Sequence, residues 1–134
     1  MKIIGRRELV SMPELGFTDV IAKVDTGAYT SSMHCQSMVE EGSELHCEFF
    51  DPNSVEKSLK RVTFAAFSKK NVRSSNGQME SRYTITTPLT ITNETYMVAF
   101  TLTDRSNMKF PLLLGRKFLR KKFIVDVSLI NNLA

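Results

Sequence analysis

The chain has 134 residues, 42% of them hydrophobic and 24% charged, with a formal net charge of +4. That length holds one ordinary core and excludes two lobes built around separate cores, and no stretch approaches the roughly 20 consecutive apolar residues of a membrane span. The composition is that of a soluble globular protein, and the positive charge favours an acidic partner without naming one.

The first residues, Met1 to Glu8, lack the apolar core of a signal peptide, so a cytoplasmic location is expected. Gly16 marks a turn, and Val20 to Val24 is a short apolar run that reads as a buried strand ending at Asp25. Beyond the turn at Gly42-Ser43, Leu45, Cys47 and Phe49 alternate with His46, Glu48 and Phe50, the period of a half-buried strand. Asp51-Pro52-Asn53 turns the chain, and Val62 to Phe67 is a further apolar run. Asn76-Gly77, set between Val72 and Tyr83, is the strongest hairpin signal in the chain, and its polar surroundings suit either a surface turn or a lid. Tyr83, Ile85, Thr87, Leu89 and Ile91 form one strand face, Thr92-Asn93-Glu94 a turn, and Tyr96, Val98, Phe100 and Leu102 the next face. Phe110 to Leu114 and Phe123 to Val125 are short apolar strands flanking one helix, expected from about Arg116 to Lys121. The class is all-β, and a small closed barrel is favoured over an open sheet because closure removes exposed edges. One domain is expected over residues 1–134.

Asp25-Thr26-Gly27 places a carboxylate where an apolar strand breaks into a turn of small residues, Ala28, Thr30, Ser31 and Ser32. Two carboxyls held side by side cannot both ionise cheaply, so such a pair holds one proton and serves as general base and general acid together. Asp19, Asp51, Asp104 and Asp126 are not followed by Ser/Thr-Gly, so the partner carboxylate is expected from a second copy of the chain, which predicts a symmetric homodimer. The tripeptide alone is weak, since average residue usage produces it in about one chain in thirty of this length. Its plain alternative is a turn in which Asp25 caps a backbone amide and Gly27 takes a positive φ. A second apolar run ending in glycine, Leu112-Leu113-Leu114-Gly115, strengthens it.

These features together resemble the retropepsin-like aspartic peptidases, in which Asp-Thr-Gly precedes a later apolar-apolar-Gly-Arg segment, here Leu113-Leu114-Gly115-Arg116, and a short helix. The chain is most similar to the RimK-associated, RimB-like branch, often labelled ATP-dependent zinc proteases. The similarity lies in Ala22 to Ala28, Thr30-Ser31, His34, Asn76-Gly77, Arg82-Tyr83, Leu102 to Met108 and the Gly115-Arg116 segment, and it is poor from residue 49 to 70. The resemblance implies a retropepsin-type closed barrel with one short C-terminal helix. It also implies a homodimeric endopeptidase in which one Asp25 per subunit activates water, Thr26 ties the paired loops together and Gly27 leaves room for substrate. Ser75-Asn76-Gly77 would form the flap, with Ala28, Tyr29, Arg82, Arg105 and Arg116 near substrate. Tyr29 departs from the branch, which has Lys or Arg there, and from retroviral members, whose acid at this position pairs with the arginine after the second glycine.

His34-Cys35 and His46-Cys47 supply the donor types of a tetrahedral zinc site. Adjacent strand residues point to opposite faces, so His46 and Cys47 do not easily reach one ion, and neither a His-Glu-x-x-His helix nor a glycine-rich phosphate loop is present. No metal and no other cofactor is expected. The two cysteines are expected to remain reduced thiols. Lys69-Lys70, Arg105, Lys109, Arg116-Lys117 and Arg120-Lys121-Lys122 make the second half basic, without the exposed aromatics of a single-stranded nucleic-acid platform. Because RimK-like ligases append glutamates to protein tails, the resemblance implies an acidic, glutamate-rich peptide substrate, for which Arg82 and Arg105 are the candidate ligands. The competing readings are a non-catalytic dimeric barrel that binds acidic peptides or a protein partner, and a zinc-dependent peptidase using His34 and His46.

Overall fold

In the computed structural model, which describes residues 1–56, 58–73, 77–104 and 110–133, twelve strands are joined by short turns, one 3-10 turn and one short helix. The strands are β1 (Lys2–Ile4), β2 (Arg7–Met12), β3 (Phe17–Val24), β4 (Ser31–His34), β5 (Ser37–Glu41), β6 (Glu44–Phe50), β7 (Leu59–Phe64), β8 (Ser68–Arg73), β9 (Met79–Ile91), β10 (Glu94–Thr103), β11 (Leu112–Leu114) and β12 (Phe123–Val125). Helix α1 (Arg116–Leu119) follows β11. Strands β10, β4, β11, β3, β2 and β9 pair in that order, and β9 pairs back to β10, closing a six-stranded barrel. Closure satisfies the edges that an open sheet would expose. Beyond the ring, β8 pairs with the first half of β9, β5–β7 form a separate antiparallel sheet, and β1 pairs in parallel with β12.

Period-two alternation decides which side chains enter the core. Ile85, Leu89 and Ile91 of β9 and Val98, Phe100 and Leu102 of β10 point inward, and Leu45, Cys47 and Phe49 line the inner face of β6. Phe49 joins the outer sheet to the barrel by an edge-to-face contact with Phe17 of β3 at a ring separation of 6.3 Å, and it meets Phe64 of its own sheet edge to face at 6.5 Å. In β3 the alternation slips: Phe17 and Val20 are both buried, because Asp19 adopts a positive φ of 50° and the β2–β3 register shifts there. Asn53 clamps this bulge, its amide donating to the carbonyls of Thr18 (2.6 Å) and Asp19 (3.1 Å).

The expected barrel and most of its strands are present, with boundary corrections. The helix ends at Leu119, two residues short of Lys121, because Arg120 is extended and Lys121 has a φ of +65°. The run expected at 62–67 is strand over Leu59–Phe64, and β11 begins at Leu112. β8 is the arm implied by the Asn76-Gly77 hairpin signal, whereas β1, β2, β4 and β5 were not anticipated. They carry polar or charged outward residues, and β1 and β4 are only three and four residues long, too short to show a period. The Asn76-Gly77 hairpin is β8–β9, whose described arms pair from Ser68 with Thr84 up to Arg73 with Met79. Ser75, Asn76 and Arg105 lie outside the described residues.

An inward position on β2 is taken by Glu8, which is fully buried. Its carboxylate accepts hydrogen bonds from the backbone N–H groups of Gly5 (2.8 Å), Asn132 (3.0 Å) and Leu133 (3.0 Å), which fastens the C-terminal segment to the β1–β2 turn. A buried carboxylate is tolerated where several donors satisfy it. Glu8→Gln replaces an acceptor with a group that also presents donors toward donors. Chemical denaturation should show the variant less stable by about 2–3 kcal/mol, with the C-terminal segment exchanging its amide hydrogens faster.

Candidate active site

β11 inserts between β3 and β4, parallel to the first and antiparallel to the second, so the loop of residues 25–30 must arch over the end of β11. The Asp25 N–H donates to the Leu114 carbonyl (2.9 Å), and Val24 donates to Arg6 (2.9 Å). On the far side of the arch, the Arg116 and Lys117 N–H groups donate to the carbonyls of Ala28 (2.9 Å) and Tyr29 (2.8 Å). Gly115 N–H donates to the buried Ser31 hydroxyl at 3.0 Å. Both Asp-Thr-Gly and the later Gly-Arg segment are thereby explained as two halves of one hydrogen-bonded unit.

Within the arch the Gly27 N–H donates to Asp25 Oδ1 at 3.0 Å, the amide cap anticipated for a plain turn. Positive φ is confined among the described glycines to Gly16, Gly42 and Gly77, so Gly27 is selected for other reasons. A Cβ at Gly27 would sit 3.3 Å from that carboxylate oxygen. Asp25 is partly exposed, and Thr26 and Gly27 are exposed.

Arg116 does not stand alone. Its guanidinium donates to the Thr26 carbonyl (3.0 Å) and lies over the Tyr29 ring, 5.8 Å from the centroid. The residue that departs from the family pattern thus supplies an aromatic face to the arginine, a contact worth about 0.5–1 kcal/mol when exposed. Both residues act on the shape of the arch.

Asp25 and Ala28 form part of the wall of an open cleft of about 710 Å³. Thr30, Ser32, Thr84, Thr101, Thr103 and Leu113 continue that wall, and Asp104 stands at one end, its carboxylate 3.5 Å from the His34 ring. Arg82 and Lys70 enter from the β8–β9 hairpin. Arg82 is held by Glu80, whose Oε1 accepts from Nε (3.2 Å) and Nη2 (3.0 Å). The cleft therefore brings together Asp25, Ala28 and Arg82 of the anticipated residues, while Thr26, Gly27, Tyr29 and Arg116 build the loop and Gly77 (φ 86°) lies in the hairpin's turn. Lys70 was missed. Its signal was present, because a hairpin centred on Asn76 sets Lys70 opposite Arg82.

The His and Cys pairs do not converge. Cys35 and Cys47 are both free thiols in the core, whereas the His46 ring lies on the other face of β6, with Nδ1 3.1 Å from the Thr63 hydroxyl and Nε2 3.8 Å from Glu41 and Glu44. Hydrogen bonding to Cys35, with burial, holds the Cys47 thiol well above the usual range. Among the described residues no three His, Cys, Asp or Glu side chains gather closely enough to hold an ion, so this donor set does not fit a zinc centre. Among them, too, no helix is long and apolar enough to cross a membrane.

At Gly115, φ is −95°, so conformation does not demand glycine; space does. An added Cβ would lie 2.6 Å from the Thr30 carbonyl oxygen and 2.8 Å from that of Tyr29. Gly115→Ala should push the arch off β11, lowering stability by about 1–3 kcal/mol in thermal melts.

Comparison with known proteins accords with this geometry. The crystal structure of a Legionella pneumophila protein of unknown function superposes with a TM-score of 0.68 over 99% of this chain and 98% of that one, at 22% identity, which establishes the shared fold. Curated relatives named probable alpha-L-glutamate ligase are 34% identical, over 96% of this chain for the one from Desulfotalea psychrophila and 94% for the one from Shewanella halifaxensis. The chain spans 28% of the length of each. Residues 3–131 match the RimB-like family, described as retropepsin-like aspartic endopeptidase RimB, and the chain belongs to that family.

Proposed function

We propose that residues 1–134 act as one aspartic endopeptidase domain, working as a homodimer on acidic, glutamate-rich peptides. The observation that carries the reading is the placement of Asp25 in the lining of one open cleft with Lys70 and Arg82 of the β8–β9 hairpin. The chain presents one Asp-Thr-Gly arch, exposed at Thr26 and Gly27, and a second arch related by a twofold axis completes the proton-sharing pair. One carboxylate then takes a proton from water as it attacks the scissile carbonyl, and the other carboxyl donates to the carbonyl oxygen. The Gly27 amide and the Leu114 carbonyl hold the carboxylate in place on the arch.

Acidic substrate specificity is supported by the cations of the hairpin. Lys70 and Arg82 face each other across β8–β9, and Arg82 can exchange its Glu80 partner for a substrate carboxylate without losing charge compensation. The longer relatives are named probable alpha-L-glutamate ligase, and the occurrence of a segment like this chain within such proteins supports a glutamate-rich substrate. The cytoplasm is the proposed location.

Three measurements test the reading. Asp25→Asn preserves size but removes the shared proton, so turnover on a glutamate-rich peptide should fall at least about 10³-fold while sedimentation mass stays that of a dimer. Full activity, or a strictly monomeric active protein, would refute it. The wild-type pH profile should be bell-shaped, since the pair works only with one proton between its two carboxyls. Lys70→Gln and Arg82→Gln should each raise KM for acidic peptides about three- to tenfold with little change for a neutral peptide. Equal effects on both peptides would exclude an acidic-substrate role.

A further inference from the structure

Between Asp104 and Asp126 the sequence has seven Lys or Arg residues and no Asp or Glu. Five of the seven, Arg116, Lys117, Arg120, Lys121 and Lys122, fall on α1 and the turn after it, and all five are exposed. Among the described residues none of these five forms an ion pair. A segment so unbalanced raises the local positive potential, and it does so beside the arch, to which the Lys117 N–H is bonded through Tyr29.

Two of the lysines enclose a second recess. Lys117 and Lys122 line a cavity of about 180 Å³ whose wall includes Thr86 and Ala99. Those two residues pair across β9–β10, and the next outward pair along the same ladder is Thr84 with Thr101, both in the wall of the cleft that contains Asp25. Cleft and recess therefore lie end to end on one strand face, offset by two residues or about 7 Å. An extended peptide bound in the cleft and running along these strands reaches the recess within about two further residues. Lys122 is braced for that role: Nζ donates to the Phe118 carbonyl (3.2 Å) and lies 5.5 Å from the centre of its ring.

We propose that this recess is an extension subsite for acidic peptides, in which Lys117 and Lys122 pair with carboxylates lying beyond the residues held in the cleft. The inference rests on the acidic-peptide reading above but not on cleavage, because the subsite acts through binding. It makes the protein sensitive to the length of the acidic tail: long tails gain ionic contacts that short ones do not reach.

The test compares tetraglutamate and decaglutamate peptides, labelled for fluorescence anisotropy and, separately, assayed for hydrolysis. The probe proteins are the full chain, Lys117→Gln/Lys122→Gln, and Lys60→Gln/Arg61→Gln. The last pair removes the same charge from β7, in the outer sheet. Wild type should bind the long peptide at least about tenfold more tightly than the short one. The α1 double variant should lose that advantage with kcat and short-peptide binding unchanged, and the β7 variant should keep it. Retention of the advantage in the α1 variant overturns the subsite, as does an equal loss for both peptides, or an equal loss in the β7 variant, which would reduce the effect to net charge. If neither peptide is cleaved but the length effect is present and vanishes in the α1 variant, the peptidase reading fails and the subsite stands.

Discussion

The architecture depends on a three-residue strand being held between two others. Leu112–Leu114 pairs with β3 on one side and β4 on the other, and the chain linking those neighbours has to pass over its end. That passage is the Asp25 arch. Its conformation is dictated by backbone groups, the Leu114 carbonyl receiving Asp25 and the α1 amides capping Ala28 and Tyr29. Side chains then refine it: Ser31 accepts from Gly115, and Arg116 reaches the Thr26 carbonyl. A carboxylate so mounted gains its orientation from the barrel itself.

The same construction explains the composition around the arch. Two backbones approach closely where Gly115 meets the Thr30 carbonyl, and no side chain fits there. Ala28, Thr30 and Ser32 leave the cleft open above Asp25, and threonines at the outward positions of β9 and β10 give it a polar floor while Ile85, Phe100 and Leu102 fill the barrel beneath. The hairpin extends β9 past the closed ring, which places Lys70 and Arg82 over a surface that the ring alone would leave bare. Charge is thus carried on the elements least involved in the core.

Glu8 and the aromatic cluster anchor the segments that flank the arch. Tyr96 meets Phe118 and Phe123 edge to face at ring separations of 5.4 and 6.0 Å, Phe118 and Phe123 lie tilted against each other at 5.6 Å, and this cluster seats the four-residue helix, which is far too short to be stable alone. The C-terminal segment is bonded back through Glu8, Arg6 and Arg7, so both ends of the chain pack against the strands that lead into the arch.

Much of this was legible in the sequence. Alternating residues identified β6, β9 and β10, Asn76-Gly77 announced the hairpin, and Asp25-Thr26-Gly27 with Leu113-Leu114-Gly115-Arg116 marked the arch and its support, because period and turn chemistry are local properties. Short or outward-polar strands such as β1 and β4 left no readable period, since their pairing is decided by neighbours distant in the chain. Tertiary structure alone decided that Tyr29 lies beneath Arg116, that Glu8 is buried, and that Lys117 and Lys122 line one recess with Thr86 and Ala99. Each of those juxtapositions joins residues far apart in sequence or reverses a residue's ordinary exposure, and only closure of the barrel brings the partners within reach.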